Sequence, residues 1–249
     1  KKARRYCRKE DYVHEKKFFK EPSLKEIEKK NLKEGRVTAI RGQGIIVDCD
    51  GESYTCVLRG SIKNNKKAFK NLIVVGDRVF FSLVTDGEGA ISFITPRKSV
   101  LSRADNLSRN KQHFIASNVD QVLITVSIIT PLLKPSLIDR YLIAASKGNL
   151  NAVVVINKAD LIEDGIAEGS VEADQLELCS KVQRLYEELG IPCIFTSITT
   201  KKNMEKLVEC MQNKTSVFSG QSGVGKSSLI NTVTGTSIET RCTVEKTRK

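Results

Sequence analysis

Eight residues constrain the fold of this chain more than any other feature: Gly220-Gln221-Ser222-Gly223-Val224-Gly225-Lys226-Ser227. They follow G-x-x-x-x-G-K-[ST] without a departure, the pattern of a loop that wraps a phosphate between a strand and a helix. The flanks agree, with Ser216 to Ser219 reading as a strand and Lys226 to Val233 as a helix. Close wrapping excludes Cβ atoms at Gly220, Gly223 and Gly225. Backbone N–H groups along the loop, those of Gln221, Ser222 and Val224 included, and the helix N-terminus then face the anion. Lys226 is placed to reach the β- and γ-phosphates and is the candidate catalytic charge. The Ser227 hydroxyl is the candidate Mg²⁺ ligand, and Ser228 lies next to it on the nucleotide side.

A loop of this kind needs a parallel α/β sheet around it, and the chain from about Gln112 onward supplies the rhythm. Gln121 to Ser127 and Ala152 to Ile156 are apolar, β-branched runs, as strands covered on both faces require. Between them Ser136 to Lys147 reads as a helix closed by Gly148. A second helix is predicted over Asp174 to Leu189, with Leu178, Val182, Leu185 and Leu189 on its inner face and Gly190 as its stop. Pro192 to Thr196 is a further buried strand. Asn203 to Gln212 is helical, with Met204, Leu207, Val208 and Met211 inward. Strand and helix alternate throughout.

A second motif, Asn157-Lys158-Ala159-Asp160, follows the Ala152 to Ile156 strand. Ligands of open α/β sheets sit outside that end of the strands. The Asp160 carboxylate is suited to accept from the N1–H and N2–H₂ edge of guanine, whereas adenine would leave it unpaired. This disfavours an ATPase. Lys158 can lay its aliphatic stem over the base, and Asn157 can brace the loop. After the next strand, the Ser197 N–H of Thr196-Ser197 is a candidate partner for the guanine O6, although an ordinary strand-ending serine would look the same. Asn157 precedes Gly220 by 63 residues. Parallel strands tolerate such an order if connections stay right-handed.

The front of the chain differs in charge. Of the formal +12, residues 1–36 carry +7, residues 37–103 carry +4 and residues 104–249 only +1. A phosphate backbone is the simplest partner for such a surface, with a solvated face or an acidic lipid surface as the other readings. Residues 1–33 read as a basic arm with one short helix capped by Ser23. Residues 34–98 read as about five short strands around turn signals such as Asp50-Gly51, Gly76-Asp77 and Asp86-Gly87. Leu72 to Val75 is counted among those strands. A closed barrel of the OB type fits this spacing, with residues 99–249 forming the α/β part. Arg41, Arg59, Lys63, Lys66, Lys67, Arg78, Arg97 and Lys98 are candidate phosphate contacts. Tyr54, Phe69, Phe80, Phe81 and Phe93 suit either base stacking or the barrel interior.

Composition closes other classes. With 40% apolar and 28% charged residues the chain is globular in character. No apolar run reaches the roughly 18 to 20 residues of a membrane span, and no secretory signal opens the sequence. Seven scattered cysteines without a C-x-x-C pair suggest reduced thiols in the cytoplasm or an equivalent compartment. His14 and His113 have no ligand spacing.

Barrel, N-K-x-D, Thr-Ser and then G-Q-S-G-V-G-K-S-S-L-I-N, in that order, closely resemble the circularly permuted GTPases of the ribosome small subunit-dependent GTPase A (RsgA/YjeQ-type) family. Ser117 to Ile124 and Leu137 to Leu142 look similar too. The resemblance implies an N-terminal OB-type barrel followed by a permuted P-loop GTPase domain with a mostly parallel sheet. It also implies GTP hydrolysis stimulated by the small ribosomal subunit, with GTP/GDP and Mg²⁺ as ligands. The implied partner is that subunit and its rRNA, in its late maturation, with no membrane and a monomeric chain. In the family a switch I threonine, an Asp-x-x-Gly loop and a zinc-binding domain follow the Walker helix. This chain starts without a methionine and ends 22 residues past Ser227, so a longer natural chain is expected. The 216–219 strand would then gain a further neighbour. Zinc ligands are assigned to none of its residues, and Zn²⁺ is expected only if a domain follows Lys249. Asp48-Cys49-Asp50-Gly51 and Asp86-Gly87-Glu88-Gly89 match the missing loop as strings but read as hairpin turns. The alternative reading is a guanine-nucleotide-dependent RNA-binding adapter that hydrolyses nothing.

Overall fold

A computed structural model describes residues 20–59, 72–104, 112–162 and 171–236. The chain forms two compact units, Lys1–Asn118 and Val119–Lys249. In the first, helix α1 (Leu24–Lys30) starts at a reciprocal cap: Ser23 Oγ accepts from Glu26 N–H at 3.3 Å while Glu26 Oε2 accepts from Ser23 N–H at 2.9 Å. Strands β1 (Lys33–Arg41), β2 (Gly44–Cys49), β3 (Glu52–Leu58), β4 (Arg78–Thr85) and β5 (Glu88–Ile94) close into a barrel in the order β1-β2-β3-β5-β4. Antiparallel hairpins supply most of the wall, and a parallel pairing from Thr55↔Glu88 to Leu58↔Ile91 closes it. Alternating residues fill the interior, among them Val37, Val47, Cys56, Val79, Phe81 and Ile91. Asp50 and Gly51 both take positive φ (54° and 86°), the conformation a tight hairpin turn needs. Both Asp-x-x-Gly strings therefore sit at barrel hairpins, β2–β3 and β4–β5.

Leu72 to Val75, expected as a strand, makes only an isolated bridge from Val75 to Ala116. The cause is Asp77, fully buried, whose carboxylate accepts from Val74 N–H at 2.9 Å and folds the segment round itself. Asp77 also receives Ser117 Oγ at 2.6 Å. That bond ties the hairpin of β6 (Val100–Ala104) and β7 (Gln112–Ser117) to the barrel. Most of the basic arm, together with His14, Lys63, Lys66, Lys67 and Phe69, lies outside the described residues.

The second unit alternates β8 (Gln121–Ser127), α2 (Pro135–Lys147), β9 (Asn151–Asn157), α3 (Val171–Glu188), β10 (Cys193–Phe195), α4 (Met204–Met211), β11 (Ser216–Gly220) and α5 (Lys226–Thr234). Its four strands are parallel, in the order β10-β9-β8-β11. Every residue of β8 is buried, which its unbroken apolar run anticipates. Leu123, Val153 and Val155 meet Met204 and Leu207 of α4 and Leu229 of α5 in one core.

Two helix faces differ from their predicted ones. In α3 the inward residues are Cys179, Val182 and Tyr186, while Leu185 and Leu189 are 53% and 65% exposed. Tyr186 wins the inner position because its ring is buried and its hydroxyl donates to Asp139 Oδ1 of α2 at 2.7 Å. In α4 Met204 and Leu207 are buried, but Val208 faces outward. The β10 strand is half-buried because it forms a sheet edge. At the other edge, β11 pairs with β8 alone among the described residues.

The chain visits β8, β9 and β10 in one direction and then crosses back to β11 on the far side of β8. The loops after β9 and β11 consequently leave the same end of the sheet with β8 between them, roughly 10 Å apart at about 4.8 Å per strand. This is a topological switch point, where open α/β sheets bind ligands.

Candidate nucleotide site

β11 ends at Gly220, where a Cβ would run into the Thr125 carbonyl of β8. Gly223 and Gly225 hold φ of 84° and 91°, which side chains rarely adopt. Between them Val224 is buried and pins the loop, while Ser222 is exposed and Gln221 and Gly223 are half-buried. Gly225 is the N-cap of α5 and supplies no side-chain cap, so no side chain competes for the helix's first N–H groups. Lys226 Nζ donates to Gly220 O at 3.1 Å and to Gln221 O at 2.6 Å. Burial holds its ammonium below the usual lysine range. Ser227 and Ser228 are half-buried on the first turn of α5, which is anchored by buried Leu229.

The N-K-x-D loop begins at the last residue of β9. Asn157 is buried and its amide is used on both sides: Oδ1 accepts from Thr196 Oγ1 at 3.3 Å, and Nδ2 donates to Val224 O at 2.9 Å. The second bond joins the N-K-x-D loop to the glycine-rich loop. Lys158 turns the chain at φ 63°, and its Nζ donates to Thr130 O at 2.6 Å. Burial lowers its pKa, while the Asp160 carboxylate works against that shift. Asp160 stands half-buried on a 3₁₀ turn, Ala159–Ile162, held at its start by Ala159 N–H donating to Thr196 O at 3.0 Å.

Ser197 is buried in the loop that follows β10. Its N–H donates to Lys202 O at 3.2 Å, and its Oγ accepts from Thr200 N–H at 3.1 Å. Both groups are thus engaged inside their own loop. Its neighbour Thr196 is the residue that touches the N-K-x-D motif. The Thr-Ser string pointed to this loop but not to the threonine. Neither Thr125 nor Thr130 carries any sequence signal, because each contributes a main-chain carbonyl.

On the barrel, Arg41, Arg59, Arg78 and Lys98 are exposed, with Arg59 donating to Ser82 Oγ at 3.0 Å and Arg78 3.8 Å from Glu34. Arg97 is not a surface cation. Only 8% of its side chain is exposed, its Nε and Nη2 grip the Asp77 carboxylate at 2.7 and 2.8 Å, and its guanidinium lies 4.8 Å from the Phe114 ring centre. Tyr54 and Phe81 belong to the barrel core, whereas Phe80 and Phe93 are half-buried cross-strand neighbours, with Lys30 Nζ 5.2 Å from the Phe93 ring. Among the described residues no three His, Cys, Asp or Glu side chains cluster as a metal site, and no helix is long and apolar enough to cross a membrane.

A glycine-rich loop at one strand end, bonded to an N-K-x-D loop that precedes it in the chain, defines a circularly permuted P-loop domain, here behind an OB-like barrel. The chain belongs to the RsgA GTPase family, whose model matches residues 94–249. It is 39% identical over 185 residues to the small ribosomal subunit biogenesis GTPase RsgA of Actinobacillus pleuropneumoniae serotype 5b, covering 73% of this chain and 48% of that one. The protein of the same name from Chlorobaculum parvum is 35% identical over 211 residues, covering 81% and 63%. Among solved structures, YjeQ from Thermotoga maritima matches with a TM-score of 0.61 at 32% identity, over 81% of this chain and 65% of that one. YloQ, a circularly permuted GTPase, matches with a TM-score of 0.54 at 29% identity, over 80% and 63%. The chain thus spans from about half to just under two thirds of the length of these relatives.

Proposed function

We propose that this chain binds GTP and hydrolyses it in the service of small ribosomal subunit biogenesis in the cytoplasm, docking on that subunit through its basic barrel. The Asn157 Nδ2–Val224 O bond carries the reading, because it holds a base-selecting loop and a phosphate loop as one unit. Asp160 reads the N1–H and N2–H₂ edge, and the Lys158 stem covers the base. The 220–225 backbone and the first turn of α5, with Ser228, face the phosphates. The Ser197 loop supports this wall from behind. Lys226 exchanges its two carbonyl partners for phosphate oxygens, a trade favoured because charge-assisted bonds to an anion are the stronger. The Ser227 hydroxyl suits Mg²⁺, which would supply charge neutralisation at the phosphates. Hydrolysis is in-line attack of water on the γ-phosphate, driven by positioning and electrostatics.

Steady-state phosphate release tests this reading. GTP turnover rising well above background when isolated small subunits are added supports it. Nucleotide-dependent retention on the subunit without phosphate release would show an adapter instead. Retention should weaken steeply with added salt, since phosphate contacts release counterions.

A further inference from the structure

Ser127 and Asn157 are paired neighbours at the ends of β8 and β9. Beyond them Lys158 Nζ meets Thr130 O at 2.6 Å. The loop that offers this carbonyl, residues 128–133, is clamped at both ends. Ser127 Oγ donates to Pro131 O at 2.7 Å, and Leu133 N–H is shared between Gln175 Oε1 of α3 at 3.1 Å and Ile128 O of its own loop at 3.3 Å. Ile128 and Leu133 are buried beneath it. Thr130 itself holds a left-handed φ of 51° and is otherwise exposed, so the clamps keep its carbonyl in place rather than its own packing.

We propose that the 128–133 loop is a positioning wall of the nucleotide site: its Thr130 carbonyl, held by Ser127 and Gln175, anchors the Lys158 ammonium so that the lysine stem is pre-set against the base. The inference rests on the nucleotide reading above and adds a part to it. A lysine stem carries about 2 kcal/mol of rotamer entropy. Tethering its far end before a ligand arrives removes much of that cost from the binding step. Burial works against the ammonium at this position, and the nearby Asp160 carboxylate opposes that shift without cancelling it. Ser127 and Gln175 touch no ligand in this scheme and act through Lys158.

The test is a double-mutant cycle in GDP affinity on the full chain, with Lys158→Met, which keeps a long stem and loses the ammonium. Gln175→Ala should weaken GDP roughly 3- to 10-fold, the worth of one ordinary hydrogen bond. Gln175→Glu retains an acceptor for Leu133 N–H and should restore affinity. In the Lys158→Met background Gln175→Ala should cost nothing further. Equal weakening in both backgrounds, or none in either, overturns the proposal. If Gln175→Ala does not fold, Ser127→Ala, which removes only the bond to Pro131, is read in the same cycle. Failure of the nucleotide reading itself looks different: the unaltered chain would bind ADP as tightly as GDP.

Discussion

A Cβ placed on Gly225 would stand 2.5 Å from Asn157 Nδ2, the atom that donates to Val224 O one residue earlier. The two residues are therefore fitted to each other: the glycine leaves the room, and the amide fills it with a bond between the loops. Gly225→Ala adds strain at φ 91° and displaces that amide. It should reduce GDP affinity by more than roughly 100-fold. Asn157→Ala leaves the Val224 carbonyl buried without its partner, at about 1–3 kcal/mol, and should weaken GDP roughly 5- to 150-fold. Fluorescence titration with a labelled GDP checks both.

Lys226 illustrates a cost of function. Its pKa is lowered in the fold from the ordinary 10.5 by burial, so the unfolded chain binds more protons between the lowered value and 10.5. Stability should accordingly rise with pH through that window and be penalised below it. Lys226→Met removes the buried charge, and its melting temperature at pH 7 without nucleotide should exceed that of the unaltered chain. Nucleotide binding should fall at least roughly 100-fold in the same variant, as expected when a charge-assisted contact in a buried site is lost. A melting temperature that drops would contradict the sign.

Arg97 and Asp77 make the barrel's buried ion pair, with Ser117, Val74 and Leu72 completing it. Removing one partner of such a pair strands the other. Asp77→Asn or Arg97→Met should destabilise the first unit by about 3–5 kcal/mol in urea unfolding. A change under 1 kcal/mol would mean that water replaces the lost partner.

Arg41 and Arg78 remain exposed cations on the barrel. Each alanine substitution should reduce the slope of log affinity for small-subunit RNA against log salt by about one if the residue contacts a phosphate. An unchanged slope assigns it to the solvated surface.

How far the sequence carries can be seen residue by residue. Gly220, Gly223 and Gly225 announce their loop because backbone conformation and close approach leave no other residue type possible. Asp50-Gly51 announces its hairpin because both positions take positive φ, which Asp and Gly tolerate better than most residues. The inner face of α3 was not legible, since Leu185 and Tyr186 are adjacent and only the Asp139 partner decides between them. Leu72 to Val75 is apolar enough for a strand, and the buried Asp77 carboxylate that bends it has no local signature. Arg97 looks like a surface cation in the sequence because a partner 20 residues away cannot be read from spacing. Thr130 acts through a carbonyl, which every residue possesses, so no motif search would find it.

The central claim is that one guanine nucleotide bridges Asp160 and the 220–227 loop. Competition binding of GDP and xanthosine diphosphate to Asp160→Asn tests it most directly, because an amide can donate to the C2 oxygen of xanthine and cannot accept both guanine protons. The expected result is a reversal of preference, with GDP weakened roughly 10- to 100-fold or more as a charge-assisted pair is lost. Undiminished GDP affinity and selectivity in that variant would contradict the account.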